Sequence, residues 1–480
     1  MMMLIHYAAE NGKELLAGFM DYEKAFDYAN RANIVSDMIK DGCSSAMVRA
    51  VAKMFRTSTY CPKNGRNRIS EGIDTDYGVT QGRCSSGNIF SYYVSDMPKA
   101  IDPTMTDDFM DPYNIAQLAD DTVTFAEARD NLRYKFASLL SYSGSKCQVP
   151  NIPKTKYCHF SDRPSLEPIQ VNDNVSIGSV DEKGYKYLGM MFYPTKDVDI
   201  IITKNFNKRM GNISKFYGWL EVNENTPIEN KLMVLDNCVF YSILHGVEMW
   251  GDISCIAKKL QSTEMKAVKA ILKVKKGTTN DLVLHELRRC SIIAKIKDRQ
   301  YTFYKKLVDF PDGVAVVKYV MNLCKNTKII KYYDLLQNDN SAKDIADRAI
   351  RVRESTASMC IYYNGFNFNE KSCIYSSYLN DYYRYIITRW RLSNHNLKIE
   401  TGRYTRIPND RSSRVCETCN ILEDEHHVIF VCPRYTQIRG RYPELVYSGI
   451  IATFLNPGYL QVKDTACLLH DIEQERGDYT

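Results

Sequence analysis

Two carboxylates side by side, Asp120 and Asp121, interrupt an otherwise apolar stretch between Leu118-Ala119 and Thr122-Val123. Like charges repel and burial penalises both, so such a pair needs compensation, for which a divalent cation is the natural candidate. Side chains alternate across a strand, so adjacent aspartates face opposite ways unless they sit at a turn. Residues 114 to 125 form two short apolar arms around the pair, the pattern of a hairpin with both acids at its tip. A third carboxylate, Asp21, follows the apolar Gly18-Phe19-Met20 in a second strand-like context. Three carboxylates so placed could share two divalent cations. An Asp-Asp pair alone is more often a turn or a surface acid; the residues around it decide between the two.

Residues 17 to 26 (AGFMDYEKAF) predict a strand leading into a helix over 33 to 55, where Ile34, Met38, Met47, Val48, Val51 and Met54 recur at roughly helical spacing. Residues 66 to 79 predict a hairpin running into a glycine-rich turn at 78 to 87, then a helix over 89 to 97. Another helix is expected at 131 to 141, with short strands near 157 to 160 and 185 to 191. These elements lack the regular rhythm of a doubly wound parallel sheet, so an α+β unit is expected over 1 to 195. Beyond Thr195 the pattern changes to long helices. One of them, 255 to 276, carries Ile256, Leu260, Ala267, Ile271 and Val274 on one face. Its other positions hold seven lysines (Lys258, Lys259, Lys266, Lys269, Lys273, Lys275 and Lys276) against one acid, Glu264. That face is either a solvated surface or a track for a phosphate backbone.

A chain of 480 residues has room for two to four domains. Its 44% hydrophobic and 25% charged residues are ordinary for a globular protein. No apolar run reaches the roughly eighteen residues that cross a bilayer. The opening MMMLIHYAAENG lacks a basic region and a cleavage site, so neither membrane insertion nor a signal peptide is expected. The 15 cysteines, odd in number and mostly scattered, fit reduced thiols in an intracellular setting, nucleus and/or cytoplasm. The formal charge of +6 points only weakly to a polyanionic partner.

One cysteine group is not scattered. Cys416-x2-Cys419-x7-His427-x4-Cys432 has zinc-ligand spacing, and a closed Cys3His set would be a structural zinc site. His426 is the alternate ligand if the register shifts by one. Arg403, Arg406, Arg411, Arg414, Arg434, Arg439 and Arg441 surround the group. They either bind RNA or DNA electrostatically or form a solvated charged surface.

The sequence resembles the reverse transcriptases of non-LTR (LINE-type) retrotransposons. FMDYEKAFD (19 to 27) looks like their motif A, GVTQGRCSSGNIFSYYVSDM (78 to 97) like motif B and AQLADDTVTFA (116 to 126) like motif C. NIPKTK (151 to 156) resembles motif D and YKYLGM (185 to 190) motif E, all in the family order. HGVEMWG (245 to 251) and the later ELRR resemble the thumb and connector, and EDEHHVIFVCPRY the C-terminal zinc knuckle. The resemblance implies a right-hand polymerase palm with partial fingers over 1–195, a helical thumb over 196–300 and a helical connector over 301–400. A zinc knuckle over 401–445 and a tail over 446–480 complete it.

The implied activity is RNA-directed DNA polymerisation with two Mg2+ or Mn2+ ions, a structural Zn2+, an RNA template, a DNA primer or target and dNTPs. Asp21 and Asp120 would bridge both metals, with Asp121 assisting. Phe26 would be the steric gate at the sugar, its other reading being a core aromatic. Gln81 and Gly82 would contact the nucleotide and template base. Lys154 would protonate the pyrophosphate unless it is a solvated surface lysine. Tyr187, Leu188 and Gly189 would hold the primer end or form a plain strand-end turn.

The chain departs from the family pattern in three places. Leu118 replaces the aromatic usual before Ala119-Asp120-Asp121. Arg83-Cys84-Ser85-Ser86-Gly87-Asn88 replaces a proline-containing stretch after Gln81-Gly82. Only twenty residues precede Asp21, which reads as an N-terminal truncation without fingers strands. A catalytically inactive nucleic-acid-binding fragment is therefore the alternative, with a maturase-like RNA chaperone a third reading.

Overall fold

The apolar run LLAGFM forms a strand buried at every position, β1 (Leu15–Met20). A strand buried on both faces needs neighbours along both edges and cover above and below. The computed structural model describes residues 1–59, 63–64, 67–68, 71–80, 84–111, 113, 115–310, 315–354, 373–375, 380–403 and 410–477. After β1 come a small hairpin of β2 (Lys63–Asn64) and β3 (Asn67–Arg68), then β4 (Ile115–Leu118), β5 (Asp121–Ala126) and β6 (Lys156–Phe160). Next are β7 (Ile169–Asn172), β8 (Val175–Ser179), β9 (Tyr185–Tyr187) and β10 (Met190–Phe192). Six of these strands build one mixed sheet in the order β4-β5-β1-β6-β8-β7. Its pairs are antiparallel except β6 with β8. The fold class is α+β, as the element pattern predicts.

The helix Arg129–Ser145 closes on this sheet over Gly18. A Cβ added there would lie 2.6 Å from Phe136 Cζ and 3.0 Å from Leu132 Cδ1, so glycine is what lets the helix seat. The same helix buries Lys135 completely, and its Nζ donates to Asp108 Oδ2 at 2.5 Å and to the Phe125 carbonyl at 2.7 Å. Asp108 also accepts from Glu127 N and Asn131 Nδ2, so the buried charge pair has its hydrogen bonds met.

Local details differ from the sequence reading. The stretch 33 to 55 is two helices, Arg31–Lys40 and Ser45–Arg56. Gly42 adopts φ 72° and Ser44 accepts from Met47 N, so a turn residue and an N-cap divide the periodic run. Residues 185 to 191 are not one strand but the hairpin β9–β10. The pair β7–β8 escaped notice because it is short and its register shifts between Gln170 and Asn172. Of the hairpin expected at 66 to 79, Asn67–Arg68 pairs with Lys63–Asn64, while Tyr77 bridges to Asn30 instead.

The chain divides into two compact units. The first comprises Met1–Asn205, Met249–Asp252 and Lys306–Asp334, so part of the stretch read as a connector belongs with the sheet. There the helix Met2–Glu10 packs against Ala315–Cys324 and Lys328–Asp334. The second comprises Phe206–Glu248, Ile253–Lys305 and Leu335–Thr480, and its described elements are helical. In it Asp381–Arg391 packs along Val462–Arg476, where Trp390 Nε1 and Arg389 both donate to Glu473. Arg391 grips buried Glu286 in a two-point ion pair at 2.7 and 2.9 Å. No described helix is long and apolar enough to cross a membrane.

Candidate functional site

Met20 on β1 pairs with Thr122 on β5, and the same register carries Asp21 to the position opposite Asp121. Leu118 pairs with Asp121, so the β4–β5 hairpin expected from the sequence has Ala119 and Asp120 at its tip, and Asp121 is the first residue of β5 and not a tip residue. Ala119 is left-handed at φ 55°, a conformation that costs a non-glycine residue about 1–2 kcal/mol. Such strain persists only where surrounding contacts impose it. Asp121 is exposed, yet partial burial and then the charges of Asp120 and Asp21 hold its carboxyl above the ordinary range. The three aspartates therefore act on one another at one end of the sheet.

The segment 151 to 156 is fastened to this end. Asn151 N donates to the Asp21 carbonyl at 2.8 Å, and Asp21 N donates to the hydroxyl of buried Thr155. Lys154 Nζ stands 3.7 Å from Asp21 Oδ2, an oxygen that is covered and lacks a hydrogen-bond partner. Lys156 takes a different course, with its Nζ lying 2.8 Å from the Cβ position of Gly178. Lys154 thus lies beside Asp21 on a side chain that is 71% exposed, while Lys156 lies over β8.

On β9, Tyr185 stacks on Phe19 at 4.5 Å and Tyr187 tilts against the same ring at 5.3 Å. Both tyrosines reach Phe19, two residues before Asp21. Burial, then Asp21 and Asp121, push the Tyr185 hydroxyl up to about 12. Burial and Asp121 push Tyr187 upward as well. Tyr185 was missed as a site residue, although the alternation in Tyr185-Lys186-Tyr187 puts both rings on one face. Leu188 and Gly189 form the β9–β10 turn at φ 46° and 79°, with Leu188 43% exposed. Two positive φ values between paired strands mark the tight hairpin turn whose twist suits its arms.

Phe26 is half-buried and stacks on Phe90 of the helix Ser86–Tyr93 at 4.4 Å. Its carbonyl accepts from Val79 N at 2.8 Å, joining the stretch after Asp21 to the one before the glycine-rich turn. Gln81 and Gly82 lie outside the described residues.

The Cys/His cluster is built differently. Ligand atoms of Cys416, Cys419, His427 and Cys432 all lie within 4.8 Å of one another. Cys432 Sγ is 3.8 Å from Cys416 Sγ and 3.7 Å from Cys419 Sγ. A tetrahedron with sulfurs about 2.3 Å from its centre has edges of about 3.8 Å, so the site fits zinc. Local backbone explains the spacing. Cys416 N donates to Ile421 O, Asn420 N to Cys416 O, and Asn420 takes φ 56°, forming a tight knuckle around the first two cysteines. Between the other two ligands, His427–Val431 is a single π turn closed by Cys432 N donating to His427 O at 2.7 Å.

His427 is buried, and neither ring nitrogen meets a conventional nitrogen or oxygen partner among the described residues. His426 is exposed and tilts against Phe430, which removes it as the alternate ligand. Burial raises the Cys416 thiol, but His427 and the Thr418 and Cys419 backbone outweigh it and bring the thiol to about 6. Burial holds Cys432 high.

Most of the arginines around the cluster serve the fold. Arg439 donates to the Cys432 carbonyl at 2.5 Å, Arg414 to Ile399 O, and Arg403, Arg434 and Arg441 pair with Glu400, Glu475 and Asp471. Arg406 lies outside the described residues. Among the described residues, only the Cys/His group brings three or more such ligand atoms together; the three aspartates do not converge in this way. No protein-family model matches the chain, and no curated protein matches it.

Proposed function

We propose that this chain is an RNA-directed DNA polymerase of the non-LTR retrotransposon type. In this reading the sheet unit is the palm, the helical unit supplies thumb and connector, and the Cys/His module is a zinc knuckle. The observation that carries it is the meeting of three separated sequence segments at one sheet end: Asp21, Asp120-Asp121 of the β4–β5 hairpin, and Lys154. The covered Oδ2 of Asp21, without a hydrogen-bond partner among the described residues, and the mutual repulsion felt by Asp121 suit an oxygen-preferring divalent cation.

Two Mg2+ or Mn2+ ions held there would activate a primer 3′-hydroxyl and offset the charge that develops on the leaving pyrophosphate. Asp21 and Asp120 would hold these ions, with Asp121 assisting. Lys154, whose Nζ lies 3.7 Å from Asp21 Oδ2, would neutralise part of this charge and give its proton to the pyrophosphate. Phe26 is held by Phe90 and forms the wall against the sugar. The Tyr187-Leu188-Gly189 turn, fixed by the stack of tyrosines on Phe19, would hold the primer end, while Gln81 and Gly82 would face the nucleotide and template. The zinc module holds the C-terminal part of the chain in shape.

Primer extension on an RNA template with Mg2+ or Mn2+ tests the proposal, comparing the wild type with Asp120→Ala. Loss of incorporation to background in the variant is expected. Equal incorporation by both proteins sinks the catalytic assignment. Salt-sensitive nucleic-acid binding without synthesis by either protein leaves a non-catalytic binding fragment.

A further inference from the structure

The lysine-rich run of the helical unit separates into two groups. Lys259 reaches the Asn207 amide, Lys269 the Lys276 carbonyl, Lys273 Glu224 and Lys275 the Asn396 amide. Lys258, Lys266 and Lys276 are exposed, with no ion-pair partner among the described residues. These three, with Lys269, Tyr217 and Asn280, line an open cleft of about 800 Å3 whose described lining contains no carboxylate. The helices Gly211–Val222 and Ser254–Leu272 and the segment leading into Asn280–Glu286 form its walls. Cations crowded without counter-charge repel one another, and a polyanion relieves that repulsion.

We infer that this cleft binds the backbone of a single-stranded polynucleotide, with a base stacked on Tyr217. Lys258 and Lys266 stand about 12 Å apart along their helix at 1.5 Å per residue, so they meet different phosphates of one strand. Tyr217 is half-buried and has only burial acting on its hydroxyl. It also lines an adjoining cleft of about 410 Å3 of mixed charge, with Glu221 and Glu224 beside Lys231 and Lys273, so it stands on the wall between that cleft and the basic one. An aromatic side chain at the edge of a basic cleft is the platform that unpaired bases use, and a paired base in a duplex cannot reach it. The assignment stands independently of the polymerase reading, because it invokes no carboxylate.

Fluorescence polarisation of the full chain with a labelled twelve-nucleotide oligo(U), across a salt series, tests it. A matched duplex and polyglutamate of equal charge serve as comparison probes. The triple change Lys258→Gln, Lys266→Gln and Lys276→Gln should weaken oligo(U) binding by about tenfold or more, and reduce the slope of log affinity against log salt by about 2. Tyr217→Ala should weaken binding about tenfold with the salt slope unchanged, and Tyr217→Phe should restore it. An unchanged slope in the triple variant overturns the cleft. Equal affinity of all three Tyr217 forms, or polyglutamate bound as tightly as oligo(U), overturns the stacking. Tighter binding of the duplex overturns the single-stranded assignment. Asp120→Ala should bind oligo(U) like the wild type, which separates failure here from failure of the catalytic proposal.

Discussion

At the Cys/His cluster three sulfurs and a ring already lie within 4.8 Å of one another, whereas Asp21, Asp120 and Asp121 share a sheet end without converging to such separations. The difference follows from what each ligand set does without a metal. The sulfurs and the imidazole pack together at little electrostatic cost, because His427 and backbone donors stabilise charge on Cys416, and the backbone turns around them hold the tetrahedron ready. Three carboxylates repel, and their approach needs a cation. The sulfur site is buried and closed, the mark of a structural centre. The oxygen site is partly open, and its strain is stored in one left-handed alanine at the tip.

Breaking the closed site should have the largest effect. Structural zinc is worth on the order of 10 kcal/mol in small metal-folded modules. Cys432→Ser should therefore abolish stoichiometric zinc in elemental analysis and leave residues 410 to 477 open to protease, while Asp120→Ala should alter neither. Zinc retained by Cys432→Ser would remove the contrast between the two sites.

Next in size is the support behind the open site. Gly18→Val should destabilise the sheet unit by about 1–3 kcal/mol, because its side chain meets Phe136 and Leu132. A lower denaturant midpoint with zinc content unchanged is the expected reading; an unchanged midpoint would show that the helix can shift aside. Arg439→Ala removes the donor to the carbonyl of a zinc ligand. Zinc affinity should fall about 10- to 100-fold in a chelator competition, with stoichiometry kept at saturating metal. Affinity equal to wild type would make Arg439 a surface residue in energetic terms.

The smallest effect belongs to the charge repulsion itself. Asp121→Asn relieves it, so in chelator-treated buffer the variant should be more stable, by less than about 1 kcal/mol because the group is largely solvated. Added Mg2+ should raise the melting temperature of the wild type more than that of the variant. A variant less stable than wild type without Mg2+ would mean the carboxylates are not in conflict.

Legibility differed between the two sites for the same physical reason. The four Cys/His residues lie within seventeen residues, so spacing alone named them, and local hydrogen bonds shape the site. Only the choice between His426 and His427 needed coordinates, since neighbouring histidines on a helical turn point to different sides. For the aspartates, apolar context and the hairpin pattern located each group in sequence. What sets Asp21 opposite Asp121 is the register of β1 with β5, a long-range pairing. The choice of Lys154 over Lys156, and the part of Tyr185 on Phe19, also depend on side chains distant in sequence.

Local pattern thus determined the α+β class, the carboxylate hairpin and the Cys/His set, because turns, periodicity and ligand spacing act over a few residues. Tertiary structure alone decided three further things. It drew 306–334 into the sheet unit and set Asp21 opposite Asp121 through the β1–β5 register. It also tied most arginines of the zinc module into the fold while leaving Lys258, Lys266 and Lys276 to a cleft. A charged side chain looks the same in sequence whether it meets a carbonyl, a carboxylate or open solvent, and only packing supplies its partner.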